Sequence, residues 1–113
     1  MKITGNNMRM TRGDSESFTV SYADASNVNI PLVAGDTIYF TVKKNINVID
    51  TILQKIITEF DSGTAVVKVD HTDTQNVPYA NYFYDIQLTK ADGTVTTIIP
   101  PSKFSITGEI TYE

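Results

Sequence analysis

The residues that could do chemistry in this chain are few. His71 is its single histidine, in Asp70-His71-Thr72-Asp73, and histidine is the one side chain whose unperturbed titration falls near neutral pH. Serines and aspartates are present in number, so the residue types of a hydrolase triad exist. A triad also needs a histidine within hydrogen-bonding reach of both partners, and no Gly-x-Ser-x-Gly elbow occurs. His71 therefore reads as a strand-end loop residue facing solvent, and no catalytic residue is assigned. Asp61, Asp70, Asp73 and Asp92 fall at strand ends, where loop carboxylates can collect around calcium. Calcium takes six or more oxygens from closely spaced ligands, and the chain has no Asp-x-Asp-x-Asp run. Aspartate also favours turns through its own backbone hydrogen bonds, so these residues read as turn formers and no metal is expected. Arg12-Gly13-Asp14 is a tripeptide that adhesion receptors read, and equally an ordinary turn before a strand.

The aromatic residues divide by position. In Tyr82-Phe83-Tyr84-Asp85-Ile86-Gln87-Leu88-Thr89, strict alternation places Tyr82, Tyr84, Ile86 and Leu88 on the inner face of a strand. Phe83, Asp85, Gln87 and Thr89 fall on the outer one. The two tyrosines should therefore be core residues, each hydroxyl reaching a backbone partner near an end of the fold. Tyr39 stands out of phase with Ile38, Phe40 and Val42 in the same way. Tyr39 and Phe83 are thus large aromatics facing away from the core, and are the candidate protein contacts.

Positioning these groups falls to short strands. Met8–Arg12, Ser17–Tyr22, Thr37–Lys43, Thr64–Asp70, Tyr82–Thr89, Thr94–Ile99, Ser102–Thr107 and Glu109–Tyr112 all carry strand patterns, separated by Gly, Asp, Asn and Pro signals. Thr51–Phe60 fits either a helix face or a strand, and its β-branched content favours a strand. As a strand, Ile52 and Ile56 would face one way, with Leu53 and Ile57 on the other side. Asn45–Asp50 reads as a loop anchored by Ile46, Val48 and Ile49. One helical turn is expected between Thr72 and Val77, with Thr72 or Asp73 as cap and Pro78 ending it. Ala91-Asp92-Gly93 is a three-residue hairpin loop with glycine where φ must be positive. Pro100-Pro101 should stop the ladder, since neither residue can donate a backbone hydrogen bond, and Gly108 is placed at a bulge or bend. With Met8–Arg12 only a short piece and Thr51–Phe60 ambiguous, these patterns amount to about seven to eight strands and predict an all-β, immunoglobulin-like antiparallel β-sandwich.

Composition sets the outer limits. The chain's 113 residues make one domain, 1–113, with residues 1–7 expected to be flexible, and its 41% hydrophobic content supports a single core. There is no cysteine, which excludes disulfides, thiolate metal sites and a cysteine nucleophile. Nine Lys and Arg against thirteen Asp and Glu give a net charge of −4. That balance argues against a nucleic-acid partner, which would need a basic surface. Lys43-Lys44, Arg9 and Arg12 form no extended basic stripe. No apolar run reaches the ~18 residues of a membrane span. The polar start Met1–Asn7 has no signal-peptide h-region.

Several phrases in order resemble the N-terminal domain of phage baseplate upper proteins and the small prophage structural proteins like it. They are Arg12-Gly13-Asp14-Ser15 leading into Phe18-Thr19-Val20, then Ala34–Lys44, Tyr82–Leu88, the Asp92-Gly93 turn and Lys103-Phe104-Ser105-Ile106-Thr107. The resemblance implies an immunoglobulin-like sandwich that docks into a phage tail or baseplate, with no catalytic residues and no cofactor. Its partners would be other phage structural proteins, with homo-oligomerisation open. Its location would be the virion, and the host cytoplasm before assembly. The longer family members continue beyond the point that corresponds to Glu113, so host attachment is expected through another chain. The alternative is a carbohydrate-binding or adhesion sandwich in which a loop end with His71, Tyr79 or Tyr22 meets a glycan.

Overall fold

A computed structural model of the protein describes residues 1–108. Ten strands and one helical turn follow in chain order. They are β1 (Lys2–Thr4), β2 (Asn7–Thr11), β3 (Glu16–Val20), β4 (Tyr22–Ala23), β5 (Asn29–Ile30), β6 (Thr37–Lys43), β7 (Thr51–Ile57), β8 (Ala65–Val69), α1 (His71–Thr74), β9 (Ala80–Thr89) and β10 (Val95–Thr107). Six strands form one sheet in the order β1-β2-β10-β9-β6-β7, while β3 pairs with β8 and β4 with β5. The fold is all-β and sandwich-like.

Alternation places the core between the layers. From the large sheet, Ile38, Phe40 and Val42 of β6, Tyr82, Tyr84, Ile86 and Leu88 of β9, and Phe104 and Ile106 of β10 are buried. From the small sheet, Val20 of β3 and Ala65, Val67 and Val69 of β8 face them. Phe40 sits at the centre of an aromatic cluster. Its ring lies 5.3 Å from Phe18 across the layers, 5.5 Å from Tyr84 and 6.0 Å from Phe104, in the edge-on and tilted geometries that ring quadrupoles favour. Both tyrosine hydroxyls find backbone partners as expected. Tyr82 donates to the Pro78 carbonyl at 2.7 Å, and Tyr84 donates to that of Asn6. Burial in the core pushes both phenols above the ordinary tyrosine value.

Four departures from the sequence reading have physical reasons. Lys2–Thr4, expected to be flexible, pairs antiparallel with β2 and caps one edge of the sheet. β10 pairs with β2 in parallel, Phe104 opposite Met8 and Ile106 opposite Met10, so the antiparallel expectation fails at this one junction. The connection from β2 to β10 spans most of the chain, which is what a parallel pair requires. Pro100-Pro101 does not end the ladder: Val95–Thr107 is one strand, with one register shift against β9 just before the prolines and a second across them. A bulge leaves residues outside the hydrogen-bonding pattern, so the missing N–H groups cost the sheet little there. The helical turn begins two or three residues earlier than expected, capped by Asp70, whose N–H donates to the Asp73 carboxylate at 2.7 Å.

β7 is a strand, as its β-branched residues indicate, but not a regular one. Val42 pairs with Leu53 and Lys43 with Thr51, leaving Ile52 as the extra residue of a bulge. Leu53 and Ile57 face inward and Ile56 is exposed, whereas the bulge turns Ile52 onto the core rather than out beside Ile56. The expected anchors of the β6–β7 loop also differ, since Ile46 and Ile49 are exposed. The Ala91-Asp92-Gly93 hairpin loop is as expected. Lys90 N–H donates to the Thr94 carbonyl at 2.8 Å and Gly93 has φ of 92°. The strand expected over Glu109–Tyr112 lies outside the described residues.

Phe104 is fully buried between Phe40 and Tyr84. Phe104→Ala is expected to destabilise the fold by about 3–5 kcal/mol, measured by urea unfolding. A loss below about 1 kcal/mol, the scale of surface changes, would contradict this account of the core.

Candidate functional site

The outward face of the large sheet carries the site. Across the β6–β9 ladder Tyr39 pairs with Gln87, Thr41 with Asp85 and Lys43 with Phe83. All six point away from the core and are half-buried. They form the floor of an open groove of about 450 Å³, within the size range of ligand-binding clefts. One wall comes from the β6–β7 side, where Asn45, Ile46, Thr51 and Gln54 stand over the floor. The other comes from β10, where Val95 and Pro101 do so. The two bulges shape these walls. The β7 bulge leaves Thr51 outward opposite Lys43, and the register shifts of β10 against β9 fall before and across Pro100-Pro101, where Pro101 reaches the groove.

Tyr39 and Phe83, assigned as separate outward aromatics, therefore line one groove. Phe83 is four residues from Gln87, the partner of Tyr39, so the two positions lie roughly 13 Å apart along the sheet. Between them lie polar groups that sequence reasoning did not assign to a site. The Gln54 amide donates to the Thr41 hydroxyl at 3.0 Å, and Asp85 occupies the middle of the floor. Burial pushes the Asp85 carboxyl above its ordinary value, and this outweighs the Lys43 ammonium and the Gln87 side chain, which both pull it down. The signal in the sequence was its outward position on β9. Its partial desolvation depends on which strands lie beside β9, which no local pattern reveals.

The loop-end candidates are engaged elsewhere. Tyr79 is exposed, but the Arg12 guanidinium stacks 4.1 Å above its ring and donates to its hydroxyl at 2.9 Å. Gly13 N–H donates to the buried Thr74 hydroxyl at 2.9 Å. The Arg12-Gly13-Asp14 turn is thus tied to the segment around α1, and a receptor that reads its arginine would first have to displace Tyr79. Tyr22 lies beneath the Lys90 ammonium at 5.7 Å. His71 is exposed at the start of α1. Neither Tyr22, His71 nor Tyr79 lines the groove. The four strand-end aspartates serve local structure. Asp61 closes a turn with Thr64, Asp92 accepts the Thr94 N–H at 2.9 Å, and Asp73 pairs with Lys55 at 2.8 Å, with Asp70 at 3.9 Å from the same ammonium. Among the described residues no three His, Asp or Glu side chains converge as a metal site would require, and no helix is long and apolar enough to cross a membrane.

Compared with known proteins, the chain matches no family model, and no curated protein or solved structure is significantly similar to it.

Because burial raises the Asp85 pKa in the folded state, its ionisation opposes folding as pH rises from the unfolded value through the raised one. Asp85→Asn removes that penalty. The variant is expected to melt at a higher temperature than the parent at pH 7, and the gap should narrow as pH falls and the parent's carboxyl protonates. A gap that is constant or widens towards low pH would contradict a desolvated Asp85.

Proposed function

We propose that this chain is a non-enzymatic structural module of a phage or prophage virion, acting in tail or baseplate assembly through protein–protein contacts. The class of partner follows from the sequence resemblance, which runs in order through the β2–β3 turn, β6, β9, the Asp92-Gly93 hairpin and the end of β10. The surface follows from the fold. The single observation that carries the reading is that Tyr39 and Phe83 share one groove on the outward face of the large sheet. Aromatic residues in a hollow ringed by polar groups are the usual anchors of protein interfaces.

The free edge at β7 is less suited to the task. Lys55 points inward, opposite Phe40, and its ammonium reaches Asp73 beside α1. An inward charge on an edge strand disfavours addition of a further strand. A docking neighbour would therefore meet the sheet on its face rather than extend it at this edge.

Phe83→Ser is expected to leave the fold intact, because Phe83 faces away from the core, and to reduce incorporation of the chain into particles or co-purification with its virion partner at least tenfold. That corresponds to about 1.4 kcal/mol of lost contact energy. Unchanged incorporation of a folded variant would remove Phe83 from the interface.

A further inference from the structure

We infer that the outward face of β1, β2 and β10 docks a short acidic segment of a partner protein, at a surface separate from the groove. Its cations, Lys2, Arg9 and Lys103, come from opposite ends of the chain. Strand pairing brings them together. Lys2 stands directly opposite Arg9, Arg9 lies beside Ser105, and Lys103 is two residues from Ser105 on the same face. Arg9 is therefore roughly 5 Å from Lys2 and roughly 8 Å from Lys103, measured between backbone positions. The Lys103 N–H is held by the Asn7 side-chain carbonyl at 3.1 Å. All three cationic residues are exposed, and among the described residues none of them is in an ion pair. The other outward positions of β1, β2 and the end of β10 are Thr, Asn and Ser, with no Asp or Glu.

The chain has thirteen Asp and Glu against nine Lys and Arg, yet it places none of those acids on this face among the described residues. Like charges directly opposite each other destabilise a sheet. A local rule broken in this way, with no compensating contact inside the chain, is the mark of a functional site. Lys2 on the β1 edge also discourages addition of a strand, but β2 and β10 are interior strands, so Arg9 and Lys103 have no such role. Arg9 and Lys103 border an open cleft of about 440 Å³ with Asn81 and Tyr79. The groups left over in it are donors. Ser105 gives its hydroxyl to the Asn81 carbonyl oxygen at 2.7 Å, leaving the Asn81 NH₂, and Tyr79 accepts from Arg12 while keeping its own O–H. A guanidinium, an ammonium, an amide NH₂ and a phenol are completed by a carboxylate, which only accepts. A short acidic segment suits the face better than a phosphodiester polymer, because a long polyanion would run on from three cations over a chain of net charge −4.

Lys103 stands opposite Phe83, so this surface adjoins the groove, but the cleft and the groove share no lining residue. The inference therefore does not depend on what the groove binds. The test is fluorescence anisotropy with a labelled decaglutamate peptide, and a thymidine decanucleotide of similar charge as the competing probe. At about 20 mM salt the peptide is expected to bind with a dissociation constant between about 1 μM and 1 mM. Raising the salt to about 200 mM should weaken binding about tenfold, as screening shortens the reach of the cations. Arg9→Gln and Lys103→Gln should each weaken it at least about fivefold. Lys68→Gln, on the exposed face of β8, should leave it unchanged. Arg9→Gln should also melt no lower than the parent, because it relieves the repulsion from Lys2. No peptide binding, undiminished binding by the two folded variants, an equal loss with Lys68→Gln, or tighter binding of the decanucleotide would each overturn the inference. An Arg9→Gln variant that melts well below the parent would make that cation structural and overturn it as well.

Discussion

The register of β9 is the constraint on which the rest of the structure depends. This strand is paired on both sides, with β6 and with β10, so it cannot shift by one residue without breaking two ladders. Such a slip would also exchange its faces, sending Tyr84, Ile86 and Leu88 to solvent and Phe83, Asp85 and Gln87 into the core. The inward set meets Phe40 and Phe104, and the Tyr84 hydroxyl is held by the Asn6 carbonyl at the β1–β2 turn. That bond ties β9 to the far end of the sheet and lets a large polar ring fill the core without an unsatisfied oxygen. The floor of the groove is the reverse side of the same decision. Whatever fixes Tyr84 inward also fixes Phe83 and Asp85 outward.

A regular sheet would have presented these outward residues on an open, gently twisted surface. Irregularities make it concave. The bulge at Ile52 spends one residue of β7 on the core and leaves Thr51 facing the floor, and the register of β10 against β9 shifts before and across Pro100-Pro101. Bulges increase local twist and redirect neighbouring side chains, and Pro101, Val95, Gln54 and Ile46 line the same groove.

The loop ends, where β-sandwiches often carry their function, are occupied with holding the fold. Arg12 covers Tyr79, Thr74 accepts the Gly13 N–H, and Lys55 draws Asp73 and Asp70 together. Charged and polar residues clustered at turns therefore account for themselves through local bonds. The outer sheet face differs because its polar groups lie between two aromatic residues and bond one another, Gln54 with Thr41 and Asp85 with Gln87 beside Lys43.

What the sequence determined by itself is what short-range physics can specify. Alternation assigned Tyr82, Tyr84, Ile86 and Leu88 to the core and Tyr39 and Phe83 to the opposite face, because side-chain direction repeats every two residues within a single strand. Asp-Gly chemistry placed the β9–β10 hairpin, since Gly93 adopts a positive φ at no steric cost. The β-branched residues of Thr51–Ile57 made a strand of an ambiguous segment. Only the tertiary structure decided which strands are neighbours. It paired β2 in parallel with β10, carried β10 through two prolines, recruited Lys2–Thr4 to an edge and turned Ile52 inward. Those outcomes depend on contacts between residues far apart in the chain, which no window of sequence contains. The groove belongs to the second group: its two aromatics were legible one at a time, but their convergence with Gln54, Asp85 and Pro101 required four strands, β10, β9, β6 and β7, to be placed side by side.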